Sequence, residues 1–254
     1  MSRLINFPTV LSALAFFVLW LSGRIGASFR TKKQELDGAA GADPSLILGA
    51  TLTLLGLIIG FTFSMAISRY EQRKNYEEAE ANAIGTEYVR ADLLPAADAQ
   101  RVRALLASYT DQRLLFYEVS GGQLPRVNAD TAQLQTELWS AVVGPAASQP
   151  TPVTALVVSG MNDVLNSQGY TQAAWWNRIP ISAWILMVAI AVCCNLLIGY
   201  SVRRTGAESV VFTALTLVVS ISFFLIADID SPRGGLIRVR PQNLVSLSQS
   251  LHPQ

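Results

Sequence analysis

From Ser45 to Ile67 the chain carries 23 consecutive uncharged residues, SLILGATLTLLGLIIGFTFSMAI, and the stretch that follows, SRYEQRKNYEEAEANAIGTEYVRADLL, is dense in charged helix formers. About 20 residues rising ~1.5 Å each cross the ~30 Å hydrocarbon layer of a bilayer. No helix stop separates the two stretches, so a single helix is predicted to leave the membrane and continue into water. That join constrains the fold more than any other feature, because it couples a bilayer segment to soluble structure without a hinge.

Three further apolar runs accompany it: Leu4 to Leu21, Ile179 to Tyr200 and Ala207 to Ala227, with Glu208 as the only acidic residue among them. Each reaches or nearly reaches spanning length. The first is read as a retained helix, since it is long for a signal-peptide core and no small-x-small cleavage pattern precedes Gly23. The predicted fold is all-α, a four-helix transmembrane unit with a helical soluble domain inserted between spans 2 and 3. The predicted segments are 1–67 (spans 1 and 2), 68–178 (soluble helices), 179–227 (spans 3 and 4) and 228–254 (tail).

Lys and Arg number 19 against 18 Asp and Glu, a net charge of +1 that points away from nucleic acid. The one histidine, His252, lies near the C-terminus, and the adjacent Cys193 and Cys194 project to different sides of a helix, so no metal-ligand spacing exists. No catalytic triad, P-loop or dinucleotide fingerprint is found; the chain is read as no enzyme, with no cofactor and no metal. Glu77, Glu78, Glu80 and Glu87 are read as a solvated helix face, because no partnered base accompanies them. Basic residues near the span ends nearly balance across the two sides, so charge alone gives no orientation. Trp175, Trp176 and Trp184 cluster at the start of the third run and are read as an interfacial belt.

The second span has an unusual face. Ser45, Gly49, Thr53, Gly56, Gly60, Ser64 and Ser68 recur at spacings of three or four, which places small residues along one side of a helix. Two readings remain open: a close packing seam, or a narrow conduit with hydroxyls near the ion and glycines leaving clearance. The candidate pore-lining residues are Gly49, Thr53, Gly56, Gly60, Phe63 and Ser64, with Phe61 and Phe63 as possible constrictions. No ionisable group sits in the middle of a span, which argues against a pump more than a channel.

In the soluble region, helices are predicted over Glu71 to Leu94, from Asp98 to the GGQLP break at Gly121, over Thr131 to Val143 and over Val153 to Gln168. Ala79, Ala83, Ile84, Tyr88 and Ala91 form the first apolar stripe; Leu115 and Phe116, then Leu134, Leu138 and Trp139, and then Leu156 and Val157, are predicted to face inward. Arg73 with Glu77, and Lys74 with Glu78, are spaced for surface pairs four apart. After the last span, Asp228 and Asp230 either attract a cation or pair with Arg233 and Arg238, and Leu236 to Pro241 is predicted to be extended.

Four motifs carry a resemblance: GFTFSMAISRYEQR at Gly60 to Arg73, EAEANAIGTEYVRADLLP at Glu78 to Pro95, RALLASYTDQR at Arg103 to Arg113, and DIDSPRGGLIRV at Asp228 to Val239. In these the chain resembles the bestrophin-like family of bacterial and plant membrane proteins, with Glu80, Asn82, Arg113, Asp228, Asp230, Pro232 and Gly235 on motif positions. Arg233 departs from the pattern, where an aromatic often follows the proline. The likeness extends distantly to bestrophin anion channels. It implies a pentameric homo-oligomer in the bacterial inner membrane, with a pore around the second span, an inorganic ion as permeant and the helical region in the cytoplasm. A non-conducting scaffold that recruits a partner is the alternative.

Overall fold

The computed structural model describes residues 8–34, 45–119, 121–201 and 206–252. Leu4 to Phe7, at the start of the first predicted span, and the Arg203–Arg204 turn lie outside the described residues. Those residues form eight α-helices and no strand: α1 (Pro8–Gln34), α2 (Ser45–Arg90), α3 (Ala96–Glu118), α4 (Leu124–Ser148), α5 (Pro152–Trp176), α6 (Ile181–Ser201), α7 (Gly206–Asp230) and α8 (Gln242–Leu251). Four stretches are long and apolar enough to cross a membrane, and they carry α1, the first half of α2, α6 and α7. The all-α expectation holds, and α2 is the unbroken 46-residue helix that the join at Ile67 requires.

The chain divides into two compact units, one of residues up to Arg69 with Arg178–Arg238, the other Tyr70–Asn177 with the residues from Val239 onward. In the first unit α1 packs on α6 and α7. The α1–α6 crossing is backbone against backbone: a Cβ on Gly199 would collide with the Gly23 carbonyl, and one on Gly26 with that of Leu196. Small residues allow such an approach where lipid supplies no hydrophobic drive. Three buried polar side chains here are satisfied locally. Thr216 donates to Asn195 Oδ1 at 2.9 Å, Asn195 Nδ2 to the Ala191 carbonyl at 2.9 Å, and Ser220 to the Thr216 carbonyl at 2.8 Å.

The second unit packs the outer part of α2 with α3, α4, α5 and α8 around Ile84, Val102, Leu106, Leu138, Met161 and Leu244, all fully buried. Each such aliphatic side chain contributes about 1.5–3 kcal/mol of hydrophobic transfer. Four sequence expectations change here. The helix foreseen over Thr131 to Val143 is nearly twice as long: Pro125 starts it in its first turn, and it passes through Pro145 to Ser148. A proline so near the end removes a single ladder bond, and the buried Ala141 and Val142 hold the preceding turn. α5 begins at a capping box, in which Thr151 and Thr154 each accept from the other's backbone N–H. It continues eight residues beyond Gln168, because Thr171, Ala174 and Trp175 still have core to bury. Leu115, Trp139, Leu156 and Ala79 are exposed rather than inward, each lying just off the buried stripe of its helix. Finally, the tail bends through Gly235, Leu236 and Ile237 and from Gln242 forms α8, whose Leu244 enters the core.

The tryptophans also separate. Trp176 is 73% exposed, as an interfacial residue would be, while Trp175 is buried against Phe116 and Tyr117 with ring centroids 5.0 and 5.4 Å away. Trp184 is buried edge-on to Phe223.

Candidate functional site

α2 holds all six candidate pore residues and two of the seven motif residues, Glu80 and Asn82. At about 100° per residue, Leu55, Thr62 and Ala66 lie within roughly 20° of one line along the helix, and all three are buried. Gly49, Thr53, Gly56, Gly60 and Ser64 lie on the far side, roughly 100–180° away, and all are exposed. A Cβ built on Gly49, Gly56 or Gly60 meets nothing within 4 Å. Among the described residues, then, nothing packs against the stripe at these three glycines. Thr53 donates its hydroxyl hydrogen to the Gly49 carbonyl at 2.9 Å, which leaves the oxygen lone pairs as its outward feature. Phe63 borders the stripe and is partly exposed, whereas Phe61 is strongly exposed on another side of the helix.

Beyond the membrane stretch the buried face of α2 becomes charged. Arg73, Glu77, Glu80, Ile84 and Glu87 follow one another at spacings of 4, 3, 4 and 3, and each is buried. The solvated-face reading of Glu77, Glu80 and Glu87 is thus corrected; only Glu78 is exposed. The reason is register: these positions continue the same helical line as Ile84, which the core claims. The foreseen surface pair of Arg73 and Glu77 is likewise two buried groups with separate duties. Arg73 donates to the carbonyls of Ala174 and Asn177 at 3.2 and 3.3 Å, capping the C-terminal end of α5. Glu77 accepts from Leu244 N–H at 2.9 Å and from Asn243 Nδ2 at 2.7 Å. α8 has no side-chain cap of its own, so Glu77 supplies both an acceptor and a negative charge at its N-terminus.

Glu80 and Arg113, two motif residues, form a fully buried ion pair joining α2 to α3. Thr171 of α5 donates to Glu80 Oε2 at 2.8 Å, so the pair ties three helices. Burial alone would weaken the Arg113 guanidinium as a base, but the charge and hydrogen bond of Glu80 more than offset it and its pKa rises. Burial, reinforced by the Glu80 carboxylate, lifts the phenols of Tyr109 and Tyr117 well above their usual range. Glu87 differs: neither carboxyl oxygen has a hydrogen-bond partner. It lies against Gly160 of α5, where a Cβ would collide with it. Burial pushes its pKa up to about 8, with Arg90 pulling down and Asp163 adding to the rise.

The remaining motif residues make a turn. Asp228 and Asp230 end α7 and are buried, at the helix end where negative charge is least favoured. Main-chain donors answer them: Leu236 and Ile237 N–H reach the Asp228 carboxylate at 2.7 and 2.8 Å, and Ile179 N–H reaches Asp230 at 3.1 Å. Gly235 packs so closely on the Asp228 carbonyl that a Cβ would collide, and Pro232 is buried in the same turn. Asn82 stands apart, exposed, on an open groove between α2 and α8. Among the described residues no three acidic, histidine or cysteine side chains gather as a metal site. Sequence reading missed Asn195 and the capping roles of Arg73 and Glu77; the 4-3-4-3 spacing through Ile84 was the available signal for the buried charges.

An all-α membrane protein with four apolar spans and a helical second unit inserted between spans 2 and 3 is the class this architecture defines. The Bestrophin-like domain model matches residues 10–244, nearly the whole sequence, and the chain belongs to that family. Its fold is similar to the crystal structure of a bacterial bestrophin homologue from Klebsiella pneumoniae, with TM-score 0.65, 14% identity and coverage of 95% of this chain and 99% of that one. A point mutant of that homologue aligns with TM-score 0.66 at 13% identity, covering 94% and 96%. No curated protein matches the sequence.

Proposed function

We propose that the protein is the subunit of an oligomeric ion channel whose path is lined by the outward face of α2: Gly49, Thr53, Gly56, Gly60, Phe63 and Ser64. The observation that carries this reading is that face itself, small and hydroxylated, turned away from the chain's own packing and open at three glycines. Membership of the bestrophin-like family supports it, as does the fold shared with the bacterial bestrophin homologue. The permeant is an inorganic ion. Closed cyclic symmetry would bring one copy of the face from each subunit to a common axis, and the family likeness favours five subunits in the inner membrane of a bacterium with the second unit in the cytoplasm. Glu80, Arg113, Asp228, Asp230, Pro232 and Gly235 hold the frame in this reading and do not touch the ion.

The test is conductance of purified protein in planar bilayers. Wild type should conduct, Phe63→Ala should change the unit conductance, and Gly56→Leu should reduce it at least tenfold by filling the clearance. Silence from well-folded oligomer under several salts overturns the reading, and so does a clean monomer by native mass measurement in several mild detergents. A non-conducting scaffold is favoured by the same open glycines, since small-xxx-small faces also dock helices between copies. A density map with a side-chain-filled axis would select it.

A further inference from the structure

Val218, Ile221, Leu225 and Asp228 follow one another on α7 at spacings of 3, 4 and 3, which at about 100° per residue keeps them within roughly 80° of one another. The first three are exposed, whereas Asp228 is buried. The turn after the helix covers it. Leu236 and Ile237 donate their N–H groups to the Asp228 carboxylate at 2.7 and 2.8 Å, and Gly235 lies against the Asp228 carbonyl. The chain therefore doubles back along α7 and lays residues 235–237 over the line that the three apolar side chains occupy. Asp228 takes the backbone donors, and the side chains remain outward. Leu236 is 82% exposed, more than any other large hydrophobic among the described residues, and Ile237 is exposed beside it.

Position and charge together identify what this tip meets. The apolar stretch of α7 runs from Ser209 to Asp230, so its last turn stands where hydrocarbon gives way to headgroups. An apolar tip folded back beside that turn extends the outer surface of the span. Basic groups flank the tip: Arg233, Arg238 and Arg240 lie within eight residues, and no Asp or Glu occurs from Ser231 to Gln254. Arg238 is exposed, donates Nε–H to the Gly235 carbonyl at 2.7 Å, and pairs with no carboxylate among the described residues. In water, exposing Leu236 brings only a cost. The boundary of an anionic bilayer suits both halves of the turn, with hydrocarbon for Leu236 and phosphate for Arg238. We infer that the turn at 235–238 is a membrane wedge: Leu236 and Ile237 enter the edge of the acyl layer, and Arg238 holds the phosphate of an anionic phospholipid. The wedge does not depend on ion conduction.

The experiment uses the full chain with a photoactivatable diazirine analogue of leucine in place of Leu236. It is reconstituted in vesicles of equal phosphatidylglycerol and phosphatidylcholine, illuminated, and its adducts are identified by mass spectrometry. Lipid adducts are expected, with phosphatidylglycerol exceeding phosphatidylcholine about fivefold, as one cation at an anionic surface implies. Arg238→Gln should bring the two lipids to near equality while lipid adducts persist, because the apolar tip is intact. If Arg238→Gln does not fold, the same protein without that change is illuminated in ~1 M salt, which screens charges beyond about 3 Å and should also level the ratio. Adducts of water alone overturn the wedge, and a cross-link to a second copy with no lipid adduct overturns it in favour of a subunit contact. Equal labelling by the two lipids, or a ratio unmoved by both Arg238→Gln and salt, overturns the phosphate contact of Arg238.

Discussion

The membrane unit and the helical unit bury polarity in opposite ways. Within the spans of the first, Asn195, Thr216 and Ser220 are buried, small and neutral and hand their hydrogens to carbonyls within a turn or to each other, while that unit's buried carboxylates, Asp228 and Asp230, sit only at the end of α7. In the second, whole charges are buried along the core: Arg73, Glu77, Glu80, Glu87 and Arg113. The difference follows from what each unit can offer as a partner. Inside a bilayer the helices have consumed their own backbone groups, and a full charge there is costly. The helical unit has several helix ends near its core, and each end presents orphan donors or acceptors that a long charged side chain can satisfy. Arg73 and Glu77 use their charge to join helix termini, and Glu80 and Arg113 use theirs on each other.

The strongest way to break that contrast is Arg113→Ala. It strands Glu80 in the core, and loss of one partner of a buried pair costs about 3–5 kcal/mol. Urea unfolding of the full protein in mild detergent, followed by fluorescence, should show that loss. Replacing both partners, as Glu80→Met with Arg113→Leu, should recover most of it. A loss under about 1 kcal/mol for Arg113→Ala, the range of a surface pair, would mean that the pair is solvated and the two units do not differ.

Glu87 sharpens the comparison through pH. Its carboxyl is raised from 4.5 to about 8 in the folded protein, so between those values the unfolded chain holds fewer protons and stability falls as pH rises. The stability is fully present below 4.5 and lost through about 8. Unfolding midpoints measured from pH 5 to 9 should decline in wild type. Glu87→Gln should flatten the slope and exceed wild type by about 1–3 kcal/mol at pH 9, the scale of an unsatisfied buried group. The same flat profile in wild type would show that water reaches the carboxylate. The smallest effect belongs to the membrane unit: Asn195→Ala should cost about 0.6 kcal/mol, and no more than ~1.7, as interhelical hydrogen bonds in membranes do. A larger loss, read from thermal melts in detergent, would make that unit as dependent on polarity as the other.

The architecture was legible because its signals are long. A run of 23 uncharged residues needs no fine register to be recognised, and neither does the absence of a stop between Ile67 and Ser68. The candidate pore face was legible as a pattern but not as an outcome, since spacing places Gly49, Gly56 and Gly60 on one side and says nothing about what lies opposite them. The charged core was lost for a different reason. Glu77 and Glu80 are among the commonest residues of solvated helices, and their partners, Leu244 and Arg113, are distant in sequence. α8 was missed because a ten-residue helix after Pro241 is marginal alone; its cap is carried by another element.

That borrowed cap imposes an order in time. Glu77 precedes Leu244 by 167 residues, so at about 5–20 residues per second the ribosome needs roughly 8–33 s to deliver the partner. Throughout that interval the carboxylate keeps water as its partner, while α6 and α7 are made and inserted between the two halves of the helical unit. The unit therefore closes only after the last two spans exist. A chain stalled before α8 would present an open seam beside Ile84 and Val102, a mark by which unfinished copies differ from finished ones.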